Sequence, residues 1–162
     1  MRVRRRPPST DRLSAKCIQR LHEKIEKCAD IHWQCNPGIE EFWPSRLIDV
    51  GPADGSVDAR LTVTSGRPEK YLAFSHCWGV PGQGVRMLKT TAATLESHMS
   101  GIPLSKYNFQ DAICMTCALG FRYIWIDSLC IIQDSADDWA REGSQMDKIY
   151  KFARLTLAAT SA

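Results

Sequence analysis

Residues 123–132 read YIWIDSLCII, a run in which Asp127 and Ser128 are the only fully polar side chains, and the chain then passes directly into QDSADDW. A segment apolar on both alternating faces has no side to offer to water. The run therefore predicts a central strand over residues 122–132, covered on each face by helices. Such a strand needs a core of substantial size, and a single domain of 162 residues can bury one without disulfides or metal. The carboxylate inside the run and the abrupt stop at Gln133 and Asp134 place the end of this strand at the rim of a site.

The flanking pattern supplies the rest of the fold. From Asp11 to Ala29, the apolar residues Leu13, Cys17, Leu21, Ile25 and Cys28 recur at helical spacing, with Ser9 or Thr10 available as N-cap. After the break at NPGIEEFWPSR, the segments RLIDV and ARLTVTS predict two short strands around GPADGS, a hairpin that decorates the main fold. YLAFSHCW reads as a strand entering the loop GVPGQG. Met87, Leu88, Thr91, Leu95 and Met99 predict a helix over 85–99. A second helix begins near Asn108, with Asn108 and Asp111 as cap and first-turn acid and Gly120 as its stop. Ser135 and Asp138 form an S-x-x-D capping box for a helix running to Phe152, and RLTLAATSA predicts a last strand. This alternation predicts an α/β fold, an open, mostly parallel sheet with helices on both faces, joined by an N-terminal helix and a small hairpin. Residues 1–44 are expected to be a basic tail and helical leader, and 45–162 the main domain.

Composition narrows the function. The formal charge is +3, but Arg2, Arg4, Arg5 and Arg6 account for it; without them 17 basic residues face 18 acidic ones. A nucleic-acid-binding face is therefore not expected. No apolar run is long enough to cross a bilayer and the N-terminus carries no signal-type segment, which predicts a cytoplasmic protein with no membrane span. The seven cysteines, several inside apolar segments, read as reduced core residues. Cys28-x3-His32-x2-Cys35 offers three zinc-type ligands without a fourth, so no metal is expected. Cys114-x-x-Cys117 falls inside a helix, away from the N-terminal dipole that activates redox pairs, and reads as core.

Ligands of open parallel sheets collect beyond the carboxyl ends of the strands. Ser75, His76, Trp78 and Gly79 close one strand, and Asp127 and Ser128 close another. Asp127 either presents its carboxylate to a ligand or caps a neighbouring loop. His76 and Cys77 point to opposite faces, which argues against a Cys/His pair. In the helix after Ser135, Trp139, Gly143, Met146, Ile149, Tyr150 and Ala153 share an arc of roughly 120°, and Glu142 lies inside it. A carboxylate on that stripe must find a partner, reach a cleft or shift its pKa. Glu142 is thus the candidate catalytic residue, as a general base or as the stabiliser of a developing cation. The alternative is a structural glutamate bonded to a loop amide or to an arginine such as Arg122.

Four segments, RLIDVG, YLAFSHCWG, DAICMTCALGFRYIWIDSLCIIQDSADDWAREGSQMDKIY and ARLTLAATSA, together resemble the heterokaryon-incompatibility (HET) domain of filamentous fungi over residues 45–162. The resemblance implies an effector that triggers regulated cell death when genetically different hyphae fuse. It also implies a distant similarity to Toll/interleukin-1 receptor (TIR) domains, which have a flavodoxin-like fold and some of which cleave NAD at the nicotinamide–ribose bond with a helix-borne glutamate. On that likeness Glu142 takes the catalytic role. Ser75, His76, Trp78 and Gly79 form the opposite wall, with Asp127, Ser128 and Trp139 in the pocket. NAD is then the implied substrate and no resident cofactor is implied. The rival reading is a non-catalytic module that works by self-association or with other death-signalling proteins. The link to TIR domains rests on fold alone.

Overall fold

The computed structural model describes residues 13–32, 42–52, 57–64, 70–78, 87–104 and 109–159. The chain divides into two compact units, Met1–Asn36 and Pro37–Ala162. In the first, α1 spans Ala15–Ile31, and Ser14 opens it by accepting the Cys17 and Ile18 amides on its carbonyl. Cys17, Leu21, Ile25 and Cys28 are half-buried along one stripe. The expected caps Ser9 and Thr10 lie outside the described residues, as does Cys35.

The second unit holds strands β1 (Arg46–Asp49), β2 (Arg60–Val63), β3 (Tyr71–Ser75), β4 (Tyr123–Ile126) and β5 (Leu155–Ala158). Its helices are α2 (Leu95–Ser100), α3 (Gln110–Ala118), α4 (Asp127–Cys130), α5 (Ala136–Gly143) and α6 (Met146–Phe152). The strands form one open sheet in the order β2-β1-β4-β3-β5. β3 pairs in parallel with both β4 and β5, while β1 pairs antiparallel with β2 and β4. The hairpin expected at RLIDV and ARLTVTS therefore forms, but it extends the sheet through β4 where a peripheral decoration was expected. Side chains alternate along β3, so Tyr71, Ala73 and Ser75 face one way and Leu72 and Phe74 the other. Tyr71 donates its phenol to the Ile149 carbonyl of α6 at 2.7 Å, and Phe74 packs edge-on against Phe109 at the head of α3, 6.0 Å between centroids. Helices thus cover both faces, and Leu47, Ile48, Leu72, Ile124, Trp125 and Ile126 are fully buried between them.

Three expected elements are shorter than the sequence pattern. The apolar run is a strand only to Ile126; Asp127 then opens the one-turn α4, accepting the Ser128 amide on its side chain and the Ile131 amide on its carbonyl. Ser128, Leu129 and Cys130 are buried, and an apolar run cannot distinguish a buried turn from a buried strand. The helix expected over 85–99 is reduced to α2, because Thr90 bridges Ile132 and gives its amide to the Ser128 carbonyl. The helix expected to reach Phe152 breaks after Gly143, where the Ser144 hydroxyl turns back to the Arg141 carbonyl.

Two ends were legible. Ser135 caps α5 by accepting the Asp138 amide at 3.2 Å. α3 ends in a Schellman turn, with the Gly120 amide on the Cys117 carbonyl and the Phe121 amide on that of Thr116, and Gly120 at φ 74. The expected α3 cap, Asn108, lies outside the described residues. Not every cysteine is core: Cys130 is buried and burial pushes its thiol up to about 12, but Cys77 and Cys114 are exposed.

Gly51, after β1, sits at φ 75 with the Val57 carbonyl oxygen 2.7 Å from where a Cβ would be. Gly51→Ala is expected to lower stability by about 2 kcal/mol, read as a fall in the urea midpoint at unchanged slope.

Candidate functional site at the carboxyl ends of β3 and β4

The parallel register sets Ala73 beside Trp125 and Phe74 beside Ile126, and Ser75 and Asp127 are the next residues along the two segments. The ends of two neighbouring strands thereby share a rim. Asp127 stands at its centre, and its carboxylate is already oriented: Oδ1 accepts the Ser128 amide and Oδ2 accepts the Trp78 indole N–H, both at 2.7 Å. Of the two sequence readings of Asp127, the structure shows the local cap, and it places the same carboxylate at the rim.

Aromatic rings surround this carboxylate. Trp78 is 38% exposed, its ring 6.5 Å from that of Trp139 on α5, and the Lys89 ammonium lies 4.8 Å from its centroid. Tyr150 packs edge-on against Trp125 at 5.6 Å and lies beside Ser75. Burial first, and then the nearby Asp127 charge, raise its phenol above the ordinary value, so Tyr150 stays protonated as a donor. His76 lies stacked on Phe74 and edge-on to Phe109, each at 5.1 Å. Its Nδ1 is 3.7 Å from Asp127 Oδ1. Burial lowers the imidazole pKa more than Asp127 raises it, which keeps the ring neutral near neutral pH.

Other expected site residues lie elsewhere. Ser128 is fully buried, and its hydroxyl has no partner among the described residues. Gly79 lies outside the described residues. Glu142 does face inward, as its place on the helix stripe predicted, but it is only 1% exposed and lies among guanidinium groups. Arg141 donates Nε to its Oε1 at 3.2 Å, and Arg46 Nη2 lies 3.9 Å away. Arg122, the partner considered from the sequence, instead holds Asp49 through Nε and Nη2 at 3.0 and 3.1 Å.

Arg46 was missed. It opens β1, is buried, donates Nε to the Cys130 carbonyl at 2.6 Å, and pairs through Nη2 with Asp138. Asp138 also accepts the Ile132 amide at 2.7 Å and pairs with Arg141. An arginine heading the short strand RLID, every residue of which is buried, was the signal, because a buried cation requires a buried acid. Tyr150 was read only as part of an apolar stripe; its phenol gives it a second role at the rim.

Concavities of about 380 and 430 Å³ lie at the other end of the sheet, against Gly120, Phe121 and Arg122. The convergent polar groups lie at the Asp127 rim. Among the described residues no cluster of three metal-ligating side chains occurs, and no helix is long and apolar enough to cross a membrane.

Residues 71–162, more than half of the chain, match the family model for heterokaryon incompatibility protein (HET). No curated protein and no solved structure matches the chain.

The buried ion network makes two measurements informative. Arg46→Met leaves Asp138 and Glu142 without their inner cation and is expected to cost about 3–5 kcal/mol in denaturant unfolding. Burial alone would raise the Asp138 carboxyl, but the Arg46 and Ile132 hydrogen bonds and the Arg46 and Arg141 charges hold it below the ordinary 3.8. Its stabilisation is therefore complete above pH 3.8 and is lost as pH falls through the lower native value. Asp138→Asn should flatten the acid limb of a stability-versus-pH curve.

Proposed function

The chain belongs to the heterokaryon incompatibility (HET) family, and from that premise we propose that it is a non-self-recognition effector that triggers regulated cell death by cleaving NAD at the Asp127 rim. One observation carries this reading: His76 and Trp78, just past β3 and its last residue Ser75, meet Asp127, the first residue past β4, at the carboxyl ends of two adjacent parallel strands. Trp78 and Trp139 offer aromatic faces for a nicotinamide or adenine ring, Lys89 offers positive charge to a phosphate, and Ser75 and Tyr150 offer hydroxyls to a ribose.

Breaking the nicotinamide–ribose bond leaves the electron pair on the nicotinamide nitrogen and a positive charge on the ribosyl carbon. A preoriented carboxylate in a largely desolvated site stabilises such a cation strongly. Asp127 has that orientation. Glu142, the glutamate singled out by the TIR likeness, takes part only if Arg141, whose side chain is 51% exposed, moves off it and Arg46 stays with Asp138. The ion pairs on Glu142 favour the second reading, a non-catalytic module that signals by assembling.

Asp127→Asn is expected to reduce NAD consumption by the purified chain on the order of 100-fold while the fold persists. Glu142→Gln distinguishes the carboxylates: a folded variant that still kills and still consumes NAD removes Glu142 from the chemistry. Cell death with no fall in NAD would establish the assembly reading instead.

A further inference from the structure

His76 is held more tightly than a rim residue needs to be. Its side chain is 8% exposed and its ring is fixed between Phe74 and Phe109. Nε2 lies 3.4 Å from the Met87 sulfur. A thioether sulfur accepts weakly and donates nothing, so the ring proton belongs on Nε2 and the lone pair on Nδ1. Nδ1 is buried and has no hydrogen-bond partner among the described residues. It faces Asp127 Oδ1 across 3.7 Å, beyond direct hydrogen-bond range.

Two acceptors therefore confront each other in a desolvated gap, an arrangement that is unfavourable unless hydrogens lie between them. A direct bond would require the gap to shorten and either the neutral ring to carry its proton on Nδ1, taking it off the sulfur side, or a charged imidazole, which the burial of this ring opposes. A single group with two hydrogens satisfies both atoms, since a point about 2.8 Å from each exists across this gap. Water is the smallest such group, and buried waters characteristically bridge polar groups of this kind. We propose that His76 Nδ1 and Asp127 Oδ1 together hold one water, and that this water is the nucleophile of the site, with His76 as its base.

The inference rests on the NAD-cleaving reading and specifies its second half. As the carbon–nitrogen bond breaks, its electron pair leaves with neutral nicotinamide. A water lone pair forms the new carbon–oxygen bond, and the proton released passes to His76 Nδ1 and then to solvent. Asp127 acts on both halves of the reaction, facing the cation and orienting the water.

The test is NAD turnover in water–methanol mixtures, with His76→Phe as the variant because a phenyl ring can keep the stacking on Phe74 and Phe109. Hydrolysis should fall on the order of 100-fold with KM little changed, and the ratio of methyl riboside to free ADP-ribose should rise about tenfold. A nitrogen-15 imidazole spectrum of the wild-type chain at neutral pH should show the proton on Nε2. This spectrum needs no variant, so misfolding of His76→Phe would not protect the proposal. A charged ring bonded directly to Asp127, a proton on Nδ1, or an unchanged product ratio overturns it while leaving NAD cleavage intact. If the wild-type chain does not consume NAD, the dinucleotide reading fails and the nucleophilic role fails with it.

Discussion

The buried charges around Arg46 are the constraint on which the carboxyl-terminal half of the fold depends. A guanidinium at the head of β1 is taken out of water and must be compensated, and the compensation comes from residues far along the chain: the Cys130 carbonyl at the end of α4 and Asp138 in the first turn of α5. This one side chain ties the antiparallel part of the sheet to the turn that follows β4 and to the helix after it. Apolar packing alone would allow these elements to slide. A directional, desolvated ion pair does not, because any displacement leaves a charge without a partner in a low-dielectric interior.

The position of α5 in turn sets the rim. Asp138 links its first turn to the Ile132 amide, and Trp139 is the next residue, so the network that locks the helix also places an aromatic ring opposite Trp78. Glu142 lies one turn further along in the same electrostatic environment, where its charge helps balance two arginines. Separate carboxylates thus take separate tasks. Asp138 and Glu142 pair with the buried cations, whereas Asp127 is held at the rim by neutral donors, an indole and a backbone amide.

The legible parts of the sequence were those governed by local physics. Gly120 ends α3 because a left-handed residue is needed there, and Ser135 starts α5 because its hydroxyl satisfies a free amide. The apolar run YLAFS ahead of a glycine-rich loop and the double-faced apolar run YIWI were sufficient to place β3 and β4 in an α/β sheet, with β4 central. What was not legible depends on partners distant in sequence. Nothing local indicates that Arg46 would reach Asp138, that Arg122 would choose Asp49 over Glu142, or that Thr90 would give its backbone to Ile132 instead of a helix. Burial also hid the end of β4, since α4 is as apolar as the strand before it. Tyr150 went unread as a rim residue because one side chain both stacks on the core and carries a polar tip.

The pleat of β3 has a geometric consequence for anything that binds here. Ser75 projects toward α6 and His76 toward α3, so these adjacent residues address opposite sides of the sheet. A guest touching both has to straddle the sheet's end as a rider straddles a saddle, with one limb down each flank. The zigzag of a single strand thus hands each flank of the sheet's end its own polar side chain, a hydroxyl on one and an imidazole on the other.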